Sequence, residues 1–303
     1  MRIVVHGQQA FGEAVLKALL DRGEDVVAVC TAPDKEGRPV DPIKATALEK
    51  GLPVHQPASW KTDESLELMK SFDADVCIMA YVLLFVPQPV LDAPRLGSFQ
   101  YHPSLLPMHR GPSSINWPIA MGATSTGLTI FWPDEGLDEG PVLLQKRCEI
   151  GPDETLGEVY FNKLFPLGVD AMIESLDLVK AGTAPRIEQN LDDGSYESWY
   201  GKEQARIDWS KPVQEVYNGI RASIPAPGAG ASFGEEEFTV NEARLSSASG
   251  GAPGEVLQVD DEQFVVAASD GAIAVKRVKS GKVKETAAEF VGRTGLKVGD
   301  KLA

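Results

Sequence analysis

Residues 2–31 read RIVVHGQQAFGEAVLKALLDRGEDVVAVCT. Two apolar, β-branched-rich runs of strand length, RIVVHG (2–7) and DVVAVCT (25–31), flank a segment in which Phe11, Val15, Leu16 and Leu19 recur at helical spacing. A strand, a helix and a second strand make the unit that parallel pairing requires, because parallel neighbours cannot be joined by a tight hairpin. The pattern then repeats. PIKATALEKG, opened by Asp41 and Pro42, reads as a helix, LPVHQ (52–56) as a strand, DESLELMKSF as a helix and ADVCIMAY (74–81) as a strand. Strands alternating with helices predict an α/β fold with a doubly wound, mostly parallel sheet. LGSFQYH adds a strand, SSINWPIAMG a helix, and TGLTIFW and PVLLQKRCEI two more strands around the loop PDEGLDEG. A long amphipathic helix is expected from Glu154 to Ala181, kinked by the Pro166 inside it.

Beyond residue 190 the pattern changes. DDGSYESWYGKEQARIDW is polar with scattered aromatics and reads as a linking strap; PVQEVYNGIRAS reads as a helix introduced by Ser210. The remainder is rich in Gly and Pro, with the short strands FTVNEARL, GEVLQVD, QFVVAAS and AIAVKRV, which predicts a small antiparallel barrel. The expected domains are 1–190 for the catalytic α/β unit, 191–205 for the linker and 206–303 for the barrel-like unit.

Composition narrows the function classes. The net charge is −15, with 17 basic and 30 acidic residues in 1–205 against 12 and 14 beyond. Such a surface repels phosphate backbones except where a local patch reverses it. One patch exists: five of the nine residues from Lys276 to Lys284 are basic, around a Ser280-Gly281 hairpin tip. No run of some eighteen apolar residues offers a membrane span. The first strand is too short for a signal peptide, so a cytoplasmic location is expected. Cys30, Cys77 and Cys148 are odd in number and lie in strand-like runs, and are read as buried thiols rather than a disulfide or metal set.

The chemistry concentrates elsewhere. HGQQAFG lacks the G-x-G-x-x-G spacing and no Lys-Ser or Lys-Thr follows it, so a dinucleotide or P-loop site is not expected. Zinc, redox and serine-hydrolase signatures are absent as well, and nothing in the spacing of His102 and His109 favours a metal. What stands out is SFQYHPSLLPMHRG (98–111), which holds two of the four histidines, and the acidic loop with Asp134, Glu135, Asp138 and Glu139. Loops after parallel-type strands are where open α/β sheets place their sites. A His at one strand end and a carboxylate at a neighbouring one suit general acid–base chemistry; the same pattern also suits a strand-end His that only bonds a backbone group. His6 and His55 are read as structural, and His109 as packing beside Arg110.

HPSLLPMHRG followed by SSINWPI, and GLTIFWPDEGLDEGPVLLQ, resemble the paired signatures of the formyltransferases that use 10-formyltetrahydrofolate: H-x-S-L-L-P-x-x-R-G, then G-x-T-I, a loop and L-D-x-G. The resemblance extends over nearly the whole chain. It implies a Rossmann-like domain joined to a smaller OB-like one, tetrahydrofolate as carrier of the formyl group, and no metal. By motif position it makes His102 the catalytic histidine and Asp138 the catalytic aspartate. It assigns MAYVLLFVP (79–87), with Met79, Tyr81, Leu83 and Leu84, and the loop residues Trp132, Pro133, Asp134, Gly136 and Leu137 to the walls of the pterin pocket.

One position departs from the pattern. Amine-directed members carry Asn two residues before the histidine; here it is Gln100, one methylene longer. The chain is most similar to the N-terminal hydrolase domain of 10-formyltetrahydrofolate dehydrogenase, in APDKEGRPVDP, FWPDEGLDEG and YFNKLFPLGVDAM among other stretches, and is also similar to methionyl-tRNA formyltransferase. In the latter the segment matching 33–44 is longer and more basic; here Asp34, Glu36 and Asp41 offset Lys35, Arg38 and Lys44. The resemblance therefore implies hydrolysis of the formyl group to formate, or its transfer to a small amine, ahead of transfer to tRNA. A non-catalytic folate sensor is the reading Gln100 leaves open. With no further domain in sequence after the barrel, oxidation of the formyl group to carbon dioxide is not expected.

Overall fold

The computed structural model describes residues 1–303. The first strand–helix–strand unit is β1 (Arg2–Gly7), α1 (Gln9–Asp21) and β2 (Asp25–Cys30). It continues through α2 (Pro42–Glu49), β3 (Val54–His55), α3 (Asp63–Ser71), β4 (Val76–Ala80), α4 (Gln88–Leu91) and β5 (Ser98–His102). Then come α5 (Asn116–Ala120), β6 (Ser125–Phe131) and β7 (Val142–Glu149). The seven strands form one sheet in the order β3-β2-β1-β4-β5-β6-β7. The ladders joining β1 to β5 are parallel, and β4 is fully buried. Burial on both sides explains why these strands read as continuous apolar runs. Capping follows the sequence: the Asp41 side chain accepts from the Ile43 N–H at 3.1 Å to open α2, with Pro42 behind it, and Thr62 caps α3.

One strand departs from expectation. β6 runs antiparallel to β5, pairing Gln100 with Phe131 and His102 with Thr129. Its end therefore does not lie beside the end of β5, and the loop after it has to run back along the sheet to reach His102.

The helix expected over 154–181 runs unbroken from Leu156 to Ala181, with a change of helical register inside it. α6 (Leu156–Val159), opened by a Thr155–Glu158 capping box, passes into one π-helical stretch, Tyr160–Leu164, and α7 (Phe165–Ala181) begins there. Pro166 lies inside this continuous helix, directly after the π-helical stretch, whose altered register accommodates the missing N–H and the ring. α7 approaches β5 closely through Gly168, where a Cβ would lie 2.7 Å from the Tyr101 ring. Tyr101 in turn stacks on Phe11 of α1 at 4.3 Å between centroids.

The chain forms two compact units, one of residues 1–111, 127–148 and 163–196, the other of 112–126, 149–162 and 197–303. In the second, α8 (Val213–Ala222) follows Pro212; Ser210 does not cap it, its hydroxyl being spent on Asp208 at 2.5 Å. A six-stranded antiparallel sheet follows: β8 (Ala229–Phe233), β9 (Glu236–Ser246), β10 (Val256–Val259), β11 (Phe264–Ala267), β12 (Ala272–Ser280) and β13 (Val283–Thr286). β12 pairs with β9 on one side and with β11 and then β13 on the other, and Ser280-Gly281 is the tip of the β12–β13 hairpin. A helix the sequence reading did not single out, α9 (Ala287–Thr294), places Phe290 against Phe238 and Phe264 to complete the core of this unit. No disulfide joins the cysteines: Cys30 and Cys77 are buried, whereas Cys148 is only half-buried, because β7 alternates inward and outward along its length.

Candidate active site

Side chains alternate along β5, so Phe99 and Tyr101 share one face and Gln100 and His102 the other. Tyr101 packs against α1 and α7, and Phe99 is fully buried. The second pair faces the segment that follows the strand, and His102 is 6% exposed.

That segment, 103–111, is shaped by a buried polar network. Thr129, opposite His102 on β6, accepts from the Leu106 N–H at 3.0 Å and donates to the Ser104 carbonyl at 2.7 Å. Gln145 on β7 donates to the Leu106 carbonyl at 2.7 Å and to the Thr129 hydroxyl at 3.0 Å. The Ser104 hydroxyl donates to the Met108 carbonyl at 2.6 Å, and Ser195 accepts from the His109 N–H at 2.9 Å. These bonds turn the chain back on itself, with His109 at φ 56, until the His109 carbonyl lies 3.1 Å from His102 Nε2. His109 thus acts on the site through its backbone. A carbonyl can only accept, so His102 Nε2 carries a hydrogen.

The other edge of the imidazole meets Asp138. Its Oδ2 lies 3.6 Å from His102 Nδ1 and accepts the Gly111 N–H at 2.9 Å, and Asp138 is 8% exposed. The pair is farther apart than a hydrogen bond, whereas Nε2 is committed to His109. Nδ1 is accordingly the ring position left to engage a reacting group. The acidic loop is brought back to β5 by ties to the 103–111 segment: Gly111 to Asp138, and a close Arg110–Glu139 ion pair. At the loop's base the Trp132 N–H donates to the Pro141 carbonyl at 2.9 Å, and a Cβ on Gly140 would stand 1.9 Å from the Trp132 carbonyl oxygen. Gly140→Ala is therefore expected to cost about 1–3 kcal/mol as an overpacked contact, read as a lowered Tm.

The other candidate residues divide. Met79 is buried and pairs in register with Gln100, on the face that carries His102. Tyr81, in a left-handed conformation at φ 65, and Leu83 are exposed large apolar side chains, as is Phe85; Leu84 is half-buried against the core beneath β4. Pro133, Asp134 and Gly136 are half-buried in the acidic loop, the Asp134 carboxylate accepting from the Gly136 N–H at 2.9 Å, and Leu137 is exposed. Trp132 is not brought to this face. Its indole packs edge-on against Phe99 at 6.1 Å, lies under the Arg186 guanidinium at 4.0 Å and donates to the Pro185 carbonyl. The alternation of β6 places Phe131 opposite Gln100 and sends the next residue to the other side.

At the N-terminus of α1 a phosphate would sit in a dinucleotide-binding fold. That position is held by a carboxylate of the chain itself: Asp41 accepts the Gln9 N–H at 2.8 and 3.0 Å. His6 pairs in register with Met79, its ring tilted over Trp60 at 4.9 Å, and His55 packs on Phe72. Sequence reasoning missed Thr129, Gln145, Ser104 and Ser195. Thr129 and Ser104 alone carried a signal, as the polar letters of the G-x-T-I and H-x-S-L-L-P patterns.

Residues 1–176 match the family described as formyl transferase, and residues 201–294 the formyl transferase C-terminal domain. The cytosolic 10-formyltetrahydrofolate dehydrogenase of Xenopus tropicalis is 41% identical over 79% of this chain; the chain spans 27% of that protein's length. The methionyl-tRNA formyltransferase of Symbiobacterium thermophilum is 36% identical over 100% of this chain and 95% of its own. Among solved structures, HypX from Aquifex aeolicus in complex with tetrahydrofolic acid superposes with a TM-score of 0.70 at 21% identity, covering 98% of this chain and 48% of that one. The sugar 3N-formyl transferase WlaRD gives 0.70 at 17% identity over 93% of this chain and 99% of its own. At these identities the structures speak to the fold.

Proposed function

The chain belongs to the formyl transferase family, and from that premise we propose that it breaks the N–formyl bond of 10-formyltetrahydrofolate and passes the formyl group to water or a small amine. One observation carries the reading: His102 and Asp138, 36 residues apart in sequence, meet at 3.6 Å as two buried polar groups.

The chemistry asks for two things, a donor for the oxygen that becomes negative when the formyl carbon is attacked, and a route for protons. The nucleophile adds to the carbon, the carbonyl electron pair moves to oxygen, and the folate nitrogen leaves with a proton as the tetrahedral intermediate collapses. In this proposal His102 is the imidazolium, with hydrogen on both ring nitrogens, so that Nδ1–H is the donor. The Asp138 carboxylate accepts the proton the nucleophile loses, directly or through water, and returns it to the folate nitrogen as the C–N bond breaks. Gln100, on the same face two residues from His102, offers its amide NH2 as a second donor. The exposed apolar run Tyr81, Leu83 and Phe85 supplies apolar surface for the pterin. The residues require no metal for these roles.

A second reading, transfer to methionyl-tRNA, is favoured by a groove of about 700 Å³ in the C-terminal unit, lined by Lys202, Arg206, Lys279 and Lys284 with Glu237 as its acidic member. Unpaired cations clustered in this way suit a phosphodiester backbone. Incubation with 10-formyltetrahydrofolate alone, with a panel of amines including amino-sugar nucleotides, and with charged initiator tRNA separates these readings. Tetrahydrofolate release without acceptor is the result expected of a hydrolase, and release only with an amine that of a small-amine transferase. Release only with tRNA overturns both in favour of the second reading, and silence in every arm favours a folate sensor.

A further inference from the structure

We propose that Gln189 is a positioning residue for Asp138, a role that rests on the acid–base reading given above. Asp138 holds φ at 58, a left-handed conformation that costs a non-glycine residue free energy and persists only where the surroundings fix it. Its side chain is held by the Gly111 N–H. Its main chain is held by Gln189: the one side-chain NH2 donates to the Asp138 carbonyl at 3.0 Å and to the Gly140 carbonyl at 2.7 Å.

Gln189 is itself anchored. Two residues earlier, Ile187 and Val142 exchange backbone hydrogen bonds of 2.8 and 3.0 Å, fixing the 185–190 segment against the start of β7. The amide is therefore a clamp between a sheet strand and the acidic loop. The clamp has a cost, because Gln189 Oε1 is buried with no hydrogen-bond partner. A buried acceptor left unsatisfied calls for an explanation, and two donor contacts at the carbonyls flanking Glu139 supply one. A carboxylate meant to meet a ring nitrogen across 3.6 Å tolerates little drift, since an ångström of misplacement at a reacting group costs up to about a hundredfold. Removing the two donors frees the peptide after Asp138 to rotate and carries the carboxylate away from His102.

The test is a double-mutant cycle in the full chain, with tetrahydrofolate release as the readout. Gln189→Leu and Gln189→Met each remove both donors, and each is expected to lower kcat about tenfold with the Kd for tetrahydrofolate changed by less than about twofold. In an Asp138→Asn background the same Gln189→Leu change is expected to cost less than about twofold, because a residue that acts only through Asp138 has nothing left to position. Wild-type kcat in the two single variants overturns the proposal. So does a tenfold loss that persists undiminished beside Asp138→Asn, which marks Gln189 as general scaffolding. If instead Asp138→Asn alone turns over normally, the acid–base reading has failed, an outcome visible in that single variant whatever Gln189 does. Should Gln189→Leu lower the Tm, Gln189→Met, which keeps the unbranched length of the side chain, carries the comparison.

Discussion

His102→Ala and Asp138→Ala are each expected to lower tetrahydrofolate release by about a hundredfold or more, while tetrahydrofolate itself still binds. The two losses should not multiply. With Nε2 bound to the His109 carbonyl and Nδ1 facing Asp138, ring and carboxylate form one device, and the double variant should fall little below the worse single one. Asp138→Asn refines the result. It keeps the acceptor that holds the Gly111 N–H, so the loop stays closed and the Tm stays near that of the parent, but it removes the base. Turnover in Asp138→Asn should match Asp138→Ala even where the stabilities differ. Single-turnover rates measured beside tetrahydrofolate binding by calorimetry decide it; near-normal rates in both alanine variants sink the assignment of the pair.

The parts of this site that were legible in the sequence are those that local chemistry dictates. Asp41-Pro42 opens α2 as a cap followed by a preset φ must, and the β-branched runs of β1, β2 and β4 are strands because both faces are covered. His102 and Asp138 could be paired because motif position marked them, not because spacing did. The direction of β6 was not readable: an apolar strand looks the same whichever way it runs, and only the ladder with β5 shows that the acidic loop must double back. The same blindness hid the side of the sheet on which Trp132 lies. Gln189, Thr129 and Gln145 were missed because each acts through a partner remote in sequence, 51, 25 and 39 residues away. Pro166 shows the converse. The sequence signalled a disturbance at the right place, but its form, a π-helical stretch directly before Pro166 in a helix unbroken from Leu156 to Ala181, is marked by no composition.

Acidification should destabilise the protein well before its carboxylates are protonated, and His6 should be the main cause. Its ring is buried at the inner end of β1, Nδ1 has no hydrogen-bond partner, and burial pushes its pKa down from 6.5 to about 3. The folded state thus refuses a proton that the unfolded chain accepts. Above pH 6.5 neither state binds it and His6 contributes nothing to the pH dependence. Below 6.5 the unfolded chain gains protons alone, so stability falls by about 1.4 kcal/mol per pH unit, or about 3 kcal/mol by pH 4.5, until the folded pKa is reached. His55, lowered by partial burial, adds a smaller loss of the same sign. The carboxylates of Asp34, Asp75, Asp208, Asp260 and Glu285, held below their usual range by hydrogen bonds, work in the same sense but at lower pH. Their contribution is present above pH 4 to 5 and is lost only below it, so they leave the window from 6.5 to 4.5 to the histidines. In His6→Leu the ring contact with Trp60 goes at every pH, but the proton-linked loss goes with it. The variant should therefore start lower at pH 7 and lose much less between pH 7 and 4.5, measured as ΔG of urea unfolding across that range. Parallel pH profiles for the parent and His6→Leu would place the acid sensitivity elsewhere.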